Sequence, residues 1–379
     1  MPQDGLEVLS VPYKPPLPLR MARLFASRRK SQNGPSRETP TYIGRLRSAA
    51  GIYSCARMPD ETDPWVAPAF RAALRASPWD VVVSSSSPYT THRVARRLRE
   101  SGAARFWVAD FRDLWTRNPV FQGLFPFTLI ERLEERRCLR EADLVTTVSE
   151  PLASVLSAES SSPALVVPNG LDTELWVHPS KPAVTRDGLI RLVYTGSLYS
   201  RGRDPGLLLR ALKDIDRRAP EVARRFRLVV AGHSFEIWKS LAGRYGVLHL
   251  LDSRGVVDRR ESWHLQGEAT CLILLDWQGV DEGLMTSKIY EYLFAQAPIL
   301  AIGGRTDSCV GQLLASAGRG YHCGNSVPCV VDFLIRLAQD PESIQRTPDP
   351  VVLARYTREK VALDLLDMIR TNAGASVGG

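Results

Sequence analysis

The chain has 379 residues, 44% of them hydrophobic and 24% charged, a composition that supports two globular cores and excludes a disordered chain. A formal net charge of +8 and an isoelectric point near 9.3 favour anionic partners, without choosing among nucleic acid, an anionic membrane surface and a phosphorylated small molecule. No apolar run reaches the roughly 18 residues of a membrane span; the best, Thr270 to Leu275, stops at Asp276.

Residues Met1 to Leu9 carry acids and lack the basic start and apolar middle of a secretory leader, so a cytoplasmic location is expected. Arg20, Arg23, Arg28, Arg29 and Lys30 accompany Met21, Leu24 and Phe25. That segment reads either as a basic amphipathic helix on the inner face of an anionic membrane or as a solvated helix surface. Cys55, Cys138, Cys271, Cys309, Cys323 and Cys329 form neither a C-x-x-C pair nor a zinc spacing and read as free thiols.

Short β-branched runs then alternate with helix-period segments, the pattern of parallel α/β architecture. In a first series, the strand Asp80 to Val83 runs into Ser84–Ser87 and Pro88 and a helix through Val94 and Leu98. The strand Phe106 to Ala109 opens onto an aromatic loop, Phe111 to Phe127, followed by a helix marked by Ile130, Leu133 and Leu139. The strand Leu144 to Val148 leads to Ser149, an expected N-cap with Pro151 in the first turn, and Leu165 to Val167 ends at the turn Pro168, Asn169, Gly170.

Linker composition from Val177 to Asp187 separates this from a second series. Its strands are Ile190 to Tyr194, Phe226 to Val230, Cys271 to Leu275 and Ile299 to Ile302. A helix from about Ser287 to Ala297 is halted by Pro298, and a long amphipathic helix with Val361, Leu365, Leu366 and Ile369 closes the chain. The expected organisation is residues 1–177, 178–350, and 351–379 as a terminal helix plus tail.

Ligands of open parallel sheets bind at the carboxyl ends of strands. Three loops there carry suitable chemistry. Gly196, Ser197, Arg201 and Arg203 lie between a strand and a capped helix and can present amides and guanidiniums to a pyrophosphate, or form an ordinary loop with solvated arginines. Thr286, Ser287, Lys288 and Glu291 form the second candidate: Lys288 and Glu291 share a helix face and read either as surface charges that neutralise each other or as a phosphate site, since a first-turn lysine opposes the helix dipole unless an anion accompanies it. The third is Ala109 to Trp115, where Asp110, Arg112 and Asp113 among aromatics suit a hydroxylated acceptor, with Trp115 as a contact; the serine run before it reads either as further acceptor contacts through Ser86 and Ser87 or as a polar turn, and His92 behind it either as a contact or as a structural histidine. No P-loop, dinucleotide fingerprint or zinc-protease motif is present, and no nucleic-acid module is recognised.

These segments resemble, in order, the family 4 retaining glycosyltransferases of GT-B fold, in particular their bacterial polysaccharide and glycoconjugate branch. The matching stretches are Trp107 to Trp115 (WVADFRDLW), Glu141 to Ser149, Val166 to Asp172 (VVPNGLD), Tyr194 to Leu209, and Gly283 to Leu300. The resemblance implies two Rossmann-like domains facing across a cleft, an acceptor-binding N-terminal one and a nucleotide-sugar-binding C-terminal one, with the last helix returning to the first. It implies that Glu291 holds the donor ribose, that Arg203 and Lys288 neutralise its diphosphate, and that Gly255, Val256 and Val257 line the base. Arg112 and Asp113 would stand near the transferred sugar. The implied reaction is metal-independent, needs no cofactor, and moves a sugar from a nucleoside diphosphate sugar, UDP rather than GDP, to a hydroxyl of a lipid-linked or small-molecule acceptor, with retention.

Three departures accompany the resemblance. Where the family pattern wants an acid, this chain has Gly283, preceded by Asp281 and Glu282; Ser197 stands where relatives often carry arginine, leaving Arg201 as its substitute. The family's first strand and Gly-rich loop have no recognisable counterpart, as if the chain began at the second strand. A catalytically silent partner protein, or a nucleotide-sugar epimerase or hydrolase of the same fold, are the alternatives these departures leave open.

Overall fold

The computed structural model describes residues 5–17, 19–21, 49–175, 188–198, 202–278, 283–345 and 347–377. The basic cluster from Arg23 to Lys30, together with Arg201, Asp281 and Glu282, lies outside the described residues. The chain divides into two compact units, Met1–Val167 with Leu366–Gly379, and Pro168–Leu365.

The first unit contains α1 (Val66–Arg75), β1 (Trp79–Ser86), α2 (Thr90–Glu100), β2 (Ala104–Phe111), α3 (Phe127–Glu141), β3 (Leu144–Thr147), α4 (Glu150–Ser157) and β4 (Leu165–Val166). The strands form one parallel sheet in the order β1-β2-β3-β4. β2 is covered on both faces, so Trp107, Val108, Ala109 and Phe111 are all buried, as a central parallel strand requires. β1 leaves Val83 exposed and turns Ser84 and Ser86 inward. Ser149 holds the N-cap position of α4 but makes no side-chain cap bond there.

The helix α3 reverses the expected pattern. Leu139 is buried, yet Ile130 and Leu133 face outward while Glu131 and Glu135 point into the unit. Arg57 explains the inversion. Its Nε and Nη2 donate to the Glu131 carboxylate at 2.9–3.2 Å, Met58 N at 2.6 Å and Trp115 Nε1 at 3.3 Å complete the carboxylate's shell, and Arg57 Nη1 donates to Phe121 O at 2.6 Å. A buried carboxylate is tolerated only when so fully partnered. Glu135 is bound by the hydroxyl and amide of Thr116, and burial still raises its pKa.

The second unit carries β5 (Ile190–Thr195), α5 (Gly206–Arg218), α6 (Pro220–Ala223), β6 (Phe226–Ala231), α7 (Phe235–Tyr245), β7 (Leu251–Gly255), α8 (Arg259–Gly267), β8 (Cys271–Leu275), α9 (Lys288–Phe294), β9 (Ile299–Ile302), α10 (Cys309–Ser316), β10 (Gly320–His322), α11 (Val327–Gln339), α12 (Pro350–Ala354) and the start of α13 (Arg358–Val377). Among the described residues its six strands are parallel, in the order β10-β9-β8-β5-β6-β7. Counted from β5 this is 3-2-1-4-5-6, the doubly wound order, with its switch point between β5 and β8. Both faces are helix-covered: Leu192 and Tyr194 meet Leu208 and Trp238 on one side, and Val193 meets Ile289 and Leu293 on the other.

Two expectations are corrected here. Cys323 and Cys329, 5.5 Å apart at Cα, form a disulfide rather than two free thiols, while Cys138 and Cys271 are buried thiols. Cys323 follows β10 and Cys329 lies in the first turn of α11, so the strand-to-helix turn brings them together across six residues, a spacing that no short cysteine motif encodes. The helix expected to run to Ala297 ends at Phe294, because Ala295 turns extended before Pro298. Arg319 holds that exit. Its guanidinium is buried, donates to Leu293 O at 2.9 Å and Ala297 O at 3.3 Å, and burial lowers its pKa to about 10.

Candidate active site

The switch point gathers several of the residues singled out in the sequence. Gly196 follows β5 with φ +117, and Gly232 follows β6 with φ +130. A Cβ on Gly232 would stand 2.4 Å from Gly196 O, so these two turns approach as only glycine permits. Gly196 N donates to Ala231 O at 2.7 Å and Leu198 N to Ser234 Oγ at 2.8 Å, which fixes the loop after β5.

Lys288 opens α9 and points into this loop. Its Nζ would lie 2.8 Å from a Cβ on Gly196, and it stands 3.8 Å from the centroid of the Tyr194 ring. That ammonium is buried and has no hydrogen-bond partner among the described residues. Burial, reinforced by the charge of Arg203 and opposed by Glu291, lowers its pKa to about 7. Stacking on an aromatic face recovers on the order of 2 kcal/mol for a desolvated cation, less than full solvation gave it. Lys288 thus places a buried ammonium, with no hydrogen-bond acceptor among the described residues, against the turn at Gly196.

Glu291 sits one turn further along α9. It does not neutralise Lys288 by direct pairing; its carboxylate accepts from Gln266 Nε2 at 3.1 Å and Arg259 Nη2 at 3.4 Å. Gln266 also donates to Thr195 Oγ1 at 3.0 Å, and the Tyr292 hydroxyl accepts from Thr195 N at 3.1 Å. The end of β5, α8 and α9 are thereby stitched together. Gly202 approaches the Trp277 ring closely enough to exclude any side chain, its carbonyl accepts from Gln278 N at 2.9 Å, and Asp204 Oδ1 accepts from Gly206 N at 2.8 Å at the entry to α5.

Gly255, Val256 and Val257 stand at the carboxyl end of the edge strand β7, with Val256 exposed and Asp258 capping α8 through Glu261 N at 2.8 Å. Thr286 and Ser287 precede α9, where their carbonyls accept from Ile289 N and Tyr290 N. Ser197 offers its carbonyl to the Tyr194 hydroxyl at 2.9 Å, and Gly283 has φ +94. Arg201 and Glu282 lie outside the described residues.

In the first unit, the strand ends gather around Asp110. Its carboxylate accepts from Ser85 Oγ at 2.8 Å, Thr146 Oγ1 at 2.9 Å and Arg112 Nη1 at 3.2 Å, while Arg112 also donates to Val167 O at 2.9 Å. Asp113 is exposed beside it, and the Ser87 hydroxyl donates to Cys55 O. His92 and Trp115 are placed otherwise than acceptor contacts require. His92 is fully buried against Phe111, bonded to Ser84 at 2.8 Å, with its pKa lowered to about 3 by burial. Trp115 stacks on Tyr89 at 4.6 Å and donates to Glu131. Both rings are core, and their surroundings leave them no surface to offer.

Gln266 and Arg259 carry no motif and no sequence signal marks them; Tyr194 is legible as a strand end but not as a site residue, and Asp110 lies inside a candidate loop, though only the register β1–β2–β3 shows it to be the hub. Among the described residues no group of three or more His, Cys, Asp or Glu side chains could hold a metal ion.

No family model matches the chain and no curated protein matches it in sequence. Solved structures do. Sucrose-phosphate synthase from Thermosynechococcus elongatus aligns over 82% of this chain and 78% of its own, with 16% identity and a TM-score of 0.59. The lipopolysaccharide outer core galactosyltransferase WaaB aligns over 81% and 79%, with 14% identity and a TM-score of 0.53. The pneumococcal O-GlcNAc transferase GtfA, solved with UDP and GlcNAc, aligns over 80% of this chain and 60% of its own, with 11% identity and a TM-score of 0.52. The chain therefore has the α/β fold of the GT-B glycosyltransferases, with two parallel sheets.

Proposed function

We propose that the protein is a glycosyltransferase that takes its sugar from a nucleoside diphosphate sugar at the switch point of the second unit. The single observation that carries this reading is Lys288, a buried ammonium with no hydrogen-bond partner among the described residues, set against Gly196 with Arg203 near enough to disfavour its charge. A diphosphate between these groups would supply the missing anion, and the same cations would neutralise the charge that grows on the diphosphate as the sugar departs. Glu291, held by Gln266 and Arg259, is the acceptor of hydrogen bonds suited to ribose hydroxyls. Gly255 to Val257 would flank the base, and Thr286 and Ser287 the phosphates.

UDP as the nucleotide, retention at the anomeric carbon, membership of family 4 and independence of metal rest on the resemblance of the chain's motifs; UDP is also what GtfA was solved with. A hydroxylated acceptor is assigned to the cluster of Ser85, Asp110, Arg112 and Asp113, with Ser87 beside it; Ser86 is turned inward and buried and takes no part. The test is donor turnover. The protein is incubated with nucleotide sugars and mixed hydroxylated acceptors, and free nucleoside diphosphate is measured. Glu291→Gln and Lys288→Ala should each lose most of the signal; unchanged turnover in both would remove the site from the reaction, and free sugar or isomerised donor without acceptor would make the protein a hydrolase or epimerase.

A further inference from the structure

A helix on a soluble unit ordinarily hides its leucines and shows its charges. The helix α3 does the opposite: with Glu131 and Glu135 locked inward by Arg57, Trp115 and Thr116, its outer face presents Leu129, Ile130 and Leu133 at 53%, 46% and 58% exposure. Phe125, two residues before the helix, is 76% exposed. The ordinary explanation, a helix packed against its own unit through its apolar stripe, fails, because that role is taken by the carboxylates. A contiguous exposed apolar patch on one helix marks an interaction surface.

Its charge says what kind. Arg132, Arg136, Arg137 and Arg140 are all exposed on the same face and its flanks. The neighbouring carboxylates are already engaged: Glu134 by Arg93, Arg96 and Arg137, Glu141 by Arg96, and Glu159 by Arg117 and Arg136. Arg132 and Arg140 have no carboxylate partner among the described residues. A second copy of the chain is disfavoured as the occupant, since a two-fold contact through this face would set the arginines of one copy against those of the other.

We infer that the outer face of α3 is a docking surface for an anionic lipid bilayer. Phe125, Leu129, Ile130 and Leu133 enter the boundary between headgroups and acyl chains, and the arginine stems extend so that their guanidiniums meet lipid phosphates. This assignment uses a different surface from the basic segment around Arg23 to Lys30 and does not depend on the donor site.

The test is flotation of the full chain with vesicles of phosphatidylcholine alone or with about 30 mol % phosphatidylglycerol. The protein should float with the anionic vesicles and stay behind with the neutral ones. Arg132→Gln with Arg140→Gln should weaken partitioning about 25-fold, roughly fivefold per arginine. Leu129→Ser with Leu133→Ser should weaken it at least about tenfold. Neither pair touches the core, so thermal unfolding by circular dichroism should be unchanged and separates lost binding from lost fold. Absence of flotation by the parent chain, or undiminished flotation of both double variants, overturns the assignment. A dimer in analytical ultracentrifugation that Leu129→Ser with Leu133→Ser dissolves, with no vesicle binding, gives the face to a second copy instead.

Discussion

Nucleotide-sugar binding should weaken as pH rises past neutrality, and Lys288 sets the size of the effect. In the free protein its pKa is lowered to about 7, by burial and then by Arg203. A diphosphate against Nζ favours the charged form and returns the pKa toward the ordinary lysine range. At pH 8 only about one free molecule in eleven then carries the proton, so binding takes up about 0.9 proton, against about 0.1 at pH 6. The same numbers weaken the apparent affinity about tenfold from pH 6 to pH 8, or about 1.4 kcal/mol. A nucleotide sugar is the right ligand, because its diphosphate lacks the terminal phosphate proton that titrates near about 6 and would offset the trend. Calorimetry in two buffers of different ionisation enthalpy reads the proton directly. Affinity flat across this range with no proton uptake, or the same uptake in Lys288→Met, would refute the assignment.

Three further outcomes follow from the packing. Lys288→Met should stabilise the ligand-free protein by about 1–3 kcal/mol near pH 7, since it removes a buried charge that has no hydrogen-bond partner among the described residues, while weakening nucleotide binding. The sign with pH is set by the lowered pKa: between about 7 and 10.5 the unfolded chain binds more protons than the folded one, so the Lys288 contribution to stability rises with pH, and the gain in the variant shrinks across that window in urea titrations. Arg57→Met should cost about 3–5 kcal/mol by stranding Glu131, and adding Glu131→Leu should restore most of the loss. Gln266→Leu should cost about 1–3 kcal/mol of stability, read in urea titrations, because it strands the buried acceptor Thr195 Oγ1 and the partly buried Glu291 carboxylate, and should weaken nucleotide binding about fivefold to twentyfold by releasing Glu291.

The parallel strands were legible because burial on both faces writes them as continuous apolar runs: CLILL at β8 and ILAI at β9 have the expected bounds. The strands overlooked, LDSRG at β7 and GYH at β10, are edge strands, half-buried and polar or very short, and carry no such run. On α3 periodicity marked Ile130 and Leu133 as a helix correctly but said nothing of which side faces in, because that was decided by Arg57, 74 residues away from Glu131 in the chain. The site divides in the same way. Gly196, Lys288 and Glu291 were readable from loop position and helical spacing, whereas Gln266 and Tyr194 act through the fold, from the far end of α8 and from inside β5. His92 misled because a histidine next to a serine run looks polar in sequence, while its neighbours Val94, Ala95 and Leu98 put the whole helix face into the core.

The central claim is that the crevice of Gly196, Arg203 and Lys288 receives a diphosphate. Titration calorimetry of a panel of nucleotide sugars against the parent chain and Lys288→Ala, at pH 6.5 where the lysine is largely charged, tests it most directly. The account predicts that at least one nucleotide sugar binds and that the variant loses tenfold or more, about 1.4 kcal/mol, of that affinity. Binding of equal strength in the two proteins, or no binding by the parent chain to any member of the panel, would contradict it.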